Sequence, residues 1–204
     1  AEAIPILEES GLIIPVGKWI IQNAFSMCTE CRKYYPEFRV SINLSYVQIL
    51  KSPLMMELKQ IIDHSGISCS GIIVELTESG YLEGTPAVRS VWNDMKQLRI
   101  QIALDDFGTG YSNLMNISNL EPDIVKLDRG FTLKALSRSY EYQLMQYVIE
   151  MVHKLNQYVC VEGVETKEDL EKIKALGPDL IQGYYYSKPC SRDEFLKKFF
   201  DYSE

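Results

Sequence analysis

Six short apolar runs along this chain each lead into a residue that carries a charge or an amide. Asn43 follows Val40-Ser41-Ile42, Glu75 follows Ile72-Ile73-Val74, and the pair Asp105-Asp106 follows Ile102-Ala103-Leu104. Lys126 follows Ile124-Val125, Glu162 follows Val159-Cys160-Val161, and Gln182 follows Leu180-Ile181. An ionised side chain beside a buried strand is costly unless it is paired or bound to a metal ion. One such residue reads as a rim position or a structural ion pair. Six in succession, with four carboxylates and a lysine among them, read as a site. Hard oxygen donors in this number suit Mg²⁺ or Mn²⁺ and not zinc. In the Asp105-Asp106 pair one carboxylate can bridge two ions while its neighbour holds the second. Two such ions activate water and stabilise the leaving oxygen in phosphodiester cleavage. Lys126 then orients the attacking water and is a positioning residue more than a base.

The elements that must hold these residues are legible as an alternation. Strand-like runs cover Phe38–Leu44, Ile72–Leu76, Ile100–Leu104, Ile124–Leu127, Val159–Val161 and Leu180–Tyr184. Helical patterns lie between them at Tyr46–His64, Pro86–Gln97, Leu133–Asn156 and Lys167–Leu176, with another from Arg192 and one ahead of the first strand through Trp19 and Ile20. Strand and helix repeating without hairpin signals predict βα units around a parallel sheet. In a parallel barrel the carboxyl ends of the strands meet on one face, where active sites are built. Thr85-Pro86 reads as a helix start, Thr166 with Asp169 as a capping box, and Gly177-Pro178 as a stop. Six strands are found where a closed barrel needs eight. Either two escape detection or two lie upstream of Ala1.

Composition narrows the function classes. The 204 residues fit one domain, and the net charge of −7 argues against a broad basic face for nucleic acid, so no DNA binding is expected. An anionic substrate is compatible if bound metal reverses the local field. No apolar run approaches the roughly 20 residues that span a bilayer. The five cysteines are an odd number without a framework pattern, so a reducing, cytoplasmic setting is expected. Cys28 and Cys31 form a C-x-x-C inside the helical segment Val16 to Tyr34, with no second pair at zinc spacing, and carry no zinc or redox role in this reading. Asp106-Phe107-Gly108 matches a kinase signature but lacks the Gly-rich nucleotide loop and the His-Arg-Asp catalytic loop. The glycines after Asp106 suit a strand-to-helix loop that closes over the metals. His64 and His153 stand isolated in helical segments. Tyr184-Tyr185-Tyr186 offer faces for guanine stacking, although strand alternation sends one of them into the helix layer. Lys167 to Lys174 is a solvated, mixed-charge helix face.

Six ordered motifs resemble those of the EAL domain, the bacterial phosphodiesterases that open cyclic di-GMP to linear pGpG. They are Asn43-Leu44-Ser45, Glu75-Leu76-Thr77-Glu78, Asp105 through Ser112, Lys126-Leu127-Asp128-Arg129, Glu162-Gly163-Val164-Glu165-Thr166 and Gln182-Gly183-Tyr184. The likeness runs from the first residues to beyond Lys188-Pro189. It implies a TIM-like (β/α) barrel whose first strand is antiparallel to the rest, dependent on Mg²⁺ or Mn²⁺. It further implies that Asn43, Glu75 and Asp105 hold one ion, and that Asp105, Asp106 and Glu162 hold the other. Lys126 would sit on the attacking water, Glu78 would brace the loop of Gly108 and Gly110, and Glu165 and Gln182 would complete the second shell or the substrate contacts.

The family's name comes from a Glu-Ala-Leu motif whose glutamate is a metal ligand. Glu2-Ala3-Ile4 imitates it but runs directly into Pro5 and the helical segment that follows the motif in the family. The true motif strand, and the strand before it, are therefore expected upstream of Ala1, in a longer protein of which this is an N-terminally truncated EAL domain. Two expectations follow: weak or absent turnover by residues 1–204 alone, and an exposed barrel edge that favours a homodimer, strand exchange or aggregation. Sensor or diguanylate-cyclase domains commonly precede such domains, so one is expected in the parent, which is free to be membrane-anchored. The competing readings are a non-catalytic cyclic di-GMP receptor and a signalling scaffold. Every downstream motif is kept, which favours the enzyme.

Overall fold

A computed structural model describes residues 3–77, 85–109, 117 and 120–200. It divides into two compact units, Ala1–Ile102 with Ser191–Glu204, and Ala103–Cys190.

The first unit opens with helices α1 (Ala3–Ser10) and α2 (Ile13–Cys31), followed by strand β1 (Val40–Asn43). Helices α3 (Tyr46–Lys51) and α4 (Leu54–Ser65) lead to β2 (Ile72–Thr77) and then α5 (Pro86–Gln97). β1 and β2 run parallel, with Val40 opposite Ile72 and Asn43 opposite Glu75. Period-two alternation sends Ile42, Ile72, Val74 and Leu76 to one face, where all four are buried. Each such side chain contributes roughly 1.5–3 kcal/mol by leaving water. The opposite face carries Ser41, Asn43, Ile73 and Glu75.

The single helix expected over Tyr46–His64 is two helices. Pro53 is the reason: a proline disfavours the α conformation in the residue before it, and Ser52 is extended at φ −128° and ψ 159°. The buried C-x-x-C is a packing feature. Cys28 Sγ donates to the carbonyls of Gly71 and Phe38 at 3.6 and 3.7 Å. Burial pushes the Cys31 thiol up to about 11, with Cys28 and Glu30 adding to the rise and Arg192 opposing it. The Cys28 thiol is raised for the same first reason. Neither is a ready thiolate for metal or nucleophilic chemistry.

The second unit holds most of β3 (Gln101–Phe107), then β4 (Ile124–Leu127), α6 (Arg129–Ser137), α7 (Ser139–Lys154), β5 (Tyr158–Val161), α8 (Lys167–Lys174) and β6 (Leu180–Ile181). β3 to β6 pair in chain order and all in parallel. All four β4 residues are buried, as expected where a parallel strand is covered on both faces. The helix predicted over Leu133–Asn156 begins earlier, because the Asp128 carboxylate accepts from Gly130 N at 2.7 Å and caps α6. It also breaks at Arg138, which is extended at φ −139° and ψ 129°. The Thr166–Asp169 capping box of α8 is present in both directions. β6 is shorter than the predicted Leu180–Tyr184, because the chain turns after Ile181. There Val164 N donates to Gln182 O, and Tyr185 N to Val164 O. α9 (Arg192–Phe200) returns to the first unit, and α2 packs against it.

Candidate active site

The ladder between β3 and β4 slips where the chemistry is concentrated. Leu104 faces Val125 and Phe107 faces Leu127, so Asp105 and Asp106 together oppose the single residue Lys126. This is a β-bulge, and it breaks the alternation that would send neighbouring side chains to opposite faces. Both aspartates are partly exposed between the buried Leu104 and Phe107. Asp106 takes φ +61°, a left-handed conformation that a short polar side chain tolerates better than most. Behind it, Gly108 has φ +105°, and a Cβ there would lie 2.9 Å from Phe131 Cδ1.

Lys126 is the centre of the charge cluster in the second unit. Its Nζ lies 3.0 Å from Asp105 Oδ1 and 2.6 Å from Glu162 Oε1, and its side chain is only 6% exposed. One ammonium thus satisfies carboxylates from two neighbouring strands. Removing one partner of a buried pair of this kind costs about 3–5 kcal/mol, because an uncompensated charge stays behind.

Glu162 is held from its own side as well. Its N–H donates to Leu127 O at 3.1 Å, carrying the β4–β5 ladder one residue past the strand. The chain then turns at Gly163, φ +80°, where a Cβ would stand 2.4 Å from Arg129 Cγ. Arg129 Nε and Nη2 both donate to Glu165 Oε1, at 3.2 and 2.8 Å. Sequence reasoning gave Arg129 no role. This exposed pair contributes at most about 1 kcal/mol to stability. It nevertheless ties the start of α6 to the loop that presents Glu162.

In the first unit Asn43 stands directly opposite Glu75, and Leu44 N donates to Glu75 O at 3.0 Å. The Glu75 side chain is buried, and Ser41 Oγ donates to its Oε1. Ser45, next along the same motif, caps α3 and donates its hydroxyl to Glu8 Oε1 at 2.6 Å. Ser41 was overlooked from sequence. The available signal was its i, i+2 spacing to Asn43, which puts both on one face of β1.

The other expected residues are less central. Glu165 serves Arg129, and Gln182 is exposed beyond β6 with its N–H bonded to Val161 O at 2.9 Å. Glu78 and Gly110, the proposed brace and its loop partner, lie outside the described residues, as do Tyr111, Ser112 and Glu2. His153 Nε2 pairs with Asp179 Oδ2 at 2.9 Å, an oxygen that also accepts from Val159 N, so it anchors structure. The ring of His64 bonds Gln60 O in its own helix. All three tyrosines of 184–186 are exposed, Tyr185 and Tyr186 edge to face at 5.2 Å.

The donor types fit a hard divalent ion: an amide oxygen from Asn43 and carboxylates from Glu75, Asp105, Asp106 and Glu162. Among the described residues, no three acidic, histidine or cysteine side chains already converge as a closed metal cage. Between Asp105 and Glu162 the compensating charge comes from Lys126.

The EAL-domain family profile matches residues 1–189. The chain belongs to the EAL-domain family. Among its relatives, the cyclic di-GMP phosphodiesterases PdeR and PdeF of Escherichia coli K12 are 33% and 31% identical. Each match covers 91% of this chain, but 28% and 25% respectively of the relative. The EAL enzyme Bd1971, solved with cAMP and cyclic di-GMP bound, is 29% identical at a TM-score of 0.90. That match covers 96% of this chain and 54% of Bd1971. The fold is therefore the TIM-like α/β fold of EAL enzymes that the six motifs implied, and its strands run parallel as the alternation of strands and helices predicted. The EAL chain spans about a quarter of the length of the curated relatives it matches. No helix among its described residues is long and apolar enough to cross a membrane.

Proposed function

We propose that the protein carrying this EAL chain hydrolyses cyclic di-GMP to linear pGpG. The observation that supports this most is the buried Lys126 ammonium between Asp105 and Glu162, on consecutive strand ends opposite a bulge. A docking scaffold has no need of such a costly charge cluster. The PdeR and PdeF relatives, and cyclic di-GMP in the Bd1971 complex, support the choice of substrate.

In this reading Asn43, Glu75, Asp105, Asp106 and Glu162 would supply oxygen ligands for Mg²⁺ or Mn²⁺. Such ions, when bound, supply Lewis acidity for the phosphodiester and for the water that attacks it. The chain's own residues do the positioning. Lys126, as an ammonium, donates to the attacking oxygen and does not take its proton. The new bond joins that oxygen to phosphorus and the bond from phosphorus to the ribose 3′ oxygen breaks, while the proton lost by the attacking water passes to solvent and the freed 3′ oxygen takes one from solvent. Glu165, which Arg129 holds, and Gln182 would support the ligands or contact the substrate. A sensor or diguanylate-cyclase domain and a homodimer belong to the same proposal for the whole protein.

The test is conversion of cyclic di-GMP to pGpG with Mg²⁺ or Mn²⁺, followed by chromatography. Product should form with the unaltered protein and vanish with Lys126→Ala and Glu162→Ala. Tight binding without product in the unaltered protein replaces the enzyme by a receptor.

A further inference from the structure

Glu75 is a buried carboxylate near the end of β2, and its setting is made by the strand beside it. In a parallel pair with Asn43 opposite Glu75 and Ser41 opposite Ile73, the side chains of Ser41, Asn43 and Glu75 share one face. The Ser41 hydroxyl, two residues before Asn43, donates to Glu75 Oε1. The backbone fixes this contact from both sides, because Leu44 N holds Glu75 O just beyond the ladder. A glutamate has three side-chain torsions to order before its carboxylate can ligate anything. A hydroxyl already bonded to one oxygen removes much of that freedom before an ion arrives.

We propose that Ser41 is a positioning residue for Glu75, holding its carboxylate in the orientation in which it ligates a divalent ion. The proposal rests on the reading of Glu75 as a metal ligand. Ser41 itself touches neither ion nor substrate in this scheme. It acts through Glu75, and the property required of it is a hydroxyl at this position of β1. Threonine retains that hydroxyl and suits a strand; alanine removes it and leaves the backbone free to pair.

The experiment is direct titration of Mn²⁺ by calorimetry into the unaltered chain and into Ser41→Ala, Ser41→Thr and Glu75→Gln, without substrate. Circular dichroism and urea unfolding of the metal-free proteins accompany it. Loss of a partner that orients a metal ligand weakens metal binding about 10- to 100-fold. The expected result is therefore at least about a tenfold rise in the Mn²⁺ dissociation constant for Ser41→Ala, with Ser41→Thr near the unaltered value. A merely structural serine would lower the urea midpoint and leave the affinity of the folded protein alone, which overturns the proposal. Unchanged affinity in Ser41→Ala beside weakened affinity in Glu75→Gln overturns the role of Ser41 only. Unchanged affinity in both removes Glu75 from the ligand set, and the role of Ser41 falls with it.

Discussion

Lys126 carries two duties that a single substitution can separate. Structurally, it compensates Asp105 and Glu162, whose carboxylates reach the same nitrogen at 3.0 and 2.6 Å. Chemically, it is the donor proposed to hold the attacking oxygen. Lys126→Met keeps much of the aliphatic stem and deletes the charge, leaving two carboxylates to repel each other in a poorly solvated site. Urea unfolding should show a loss of about 3–5 kcal/mol, well beyond an ordinary surface change. Turnover should be lost even at temperatures where the variant remains folded. Lys126→Arg should restore part of the stability but not the activity, because a planar guanidinium does not replace a compact ammonium. A stability change under about 1 kcal/mol for Lys126→Met would contradict the buried-pair account. This residue's importance was legible in the sequence, since a lysine inside an apolar strand has few bland explanations. Its partners were not, because pairing between strands depends on register and sequence reveals only spacing along each strand.

At the scale of the element, the β3–β4 bulge is the feature that sequence concealed. Ile102-Ala103-Leu104 followed by two aspartates reads as a strand and then a loop. In the structure β3 continues to Phe107 and carries both acids within it. β2, by contrast, contains Glu75 as the apolar run Ile72–Leu76 predicted, and extends one residue further, to Thr77. Helix breaks were legible in principle, as Ser52-Pro53 illustrates, but an apolar period running through the break masked it. The break at Arg138 carries no comparable sequence mark. The bulge also has a measurable cost. At φ +61°, Asp106→Gly should stabilise the fold relative to Asp106→Ala by about 1 kcal/mol, since alanine bears a Cβ penalty that glycine lacks. Both lose the carboxylate, so both should lose metal-dependent activity alike. Thermal or urea unfolding of the pair separates backbone strain from ligand loss. Equal stabilities would mean that the left-handed conformation at Asp106 carries no strain.

For the whole molecule, the question is whether acidic residues contributed by separate strands act as one metal-binding protein. The alternation of six strands with helices was readable from periodicity, and ordered motifs supplied the family. The cooperation of the acids is a thermodynamic matter that periodicity does not address. An ion that binds only the folded chain stabilises it by about 2.7 kcal/mol at one hundred times its dissociation constant. For a domain of this size each kcal/mol raises the melting temperature by roughly 2–4 °C, so saturating Mn²⁺ should raise it by about 5–10 °C. EDTA should reverse the rise. A chain of net charge −7 also attracts divalent ions loosely. The measurement therefore belongs at about 0.15 M salt, where separated surface charges are largely screened within roughly 8 Å. Asp105→Asn in the second unit and Glu75→Gln in the first should each remove most of the Mn²⁺-dependent rise. Lys167→Ala, on the solvated face of α8, should leave it intact. If both acidic variants keep the full rise, the ion is bound elsewhere, and the carboxylates at the strand ends serve contacts within the protein, those with Lys126 and Ser41 among them.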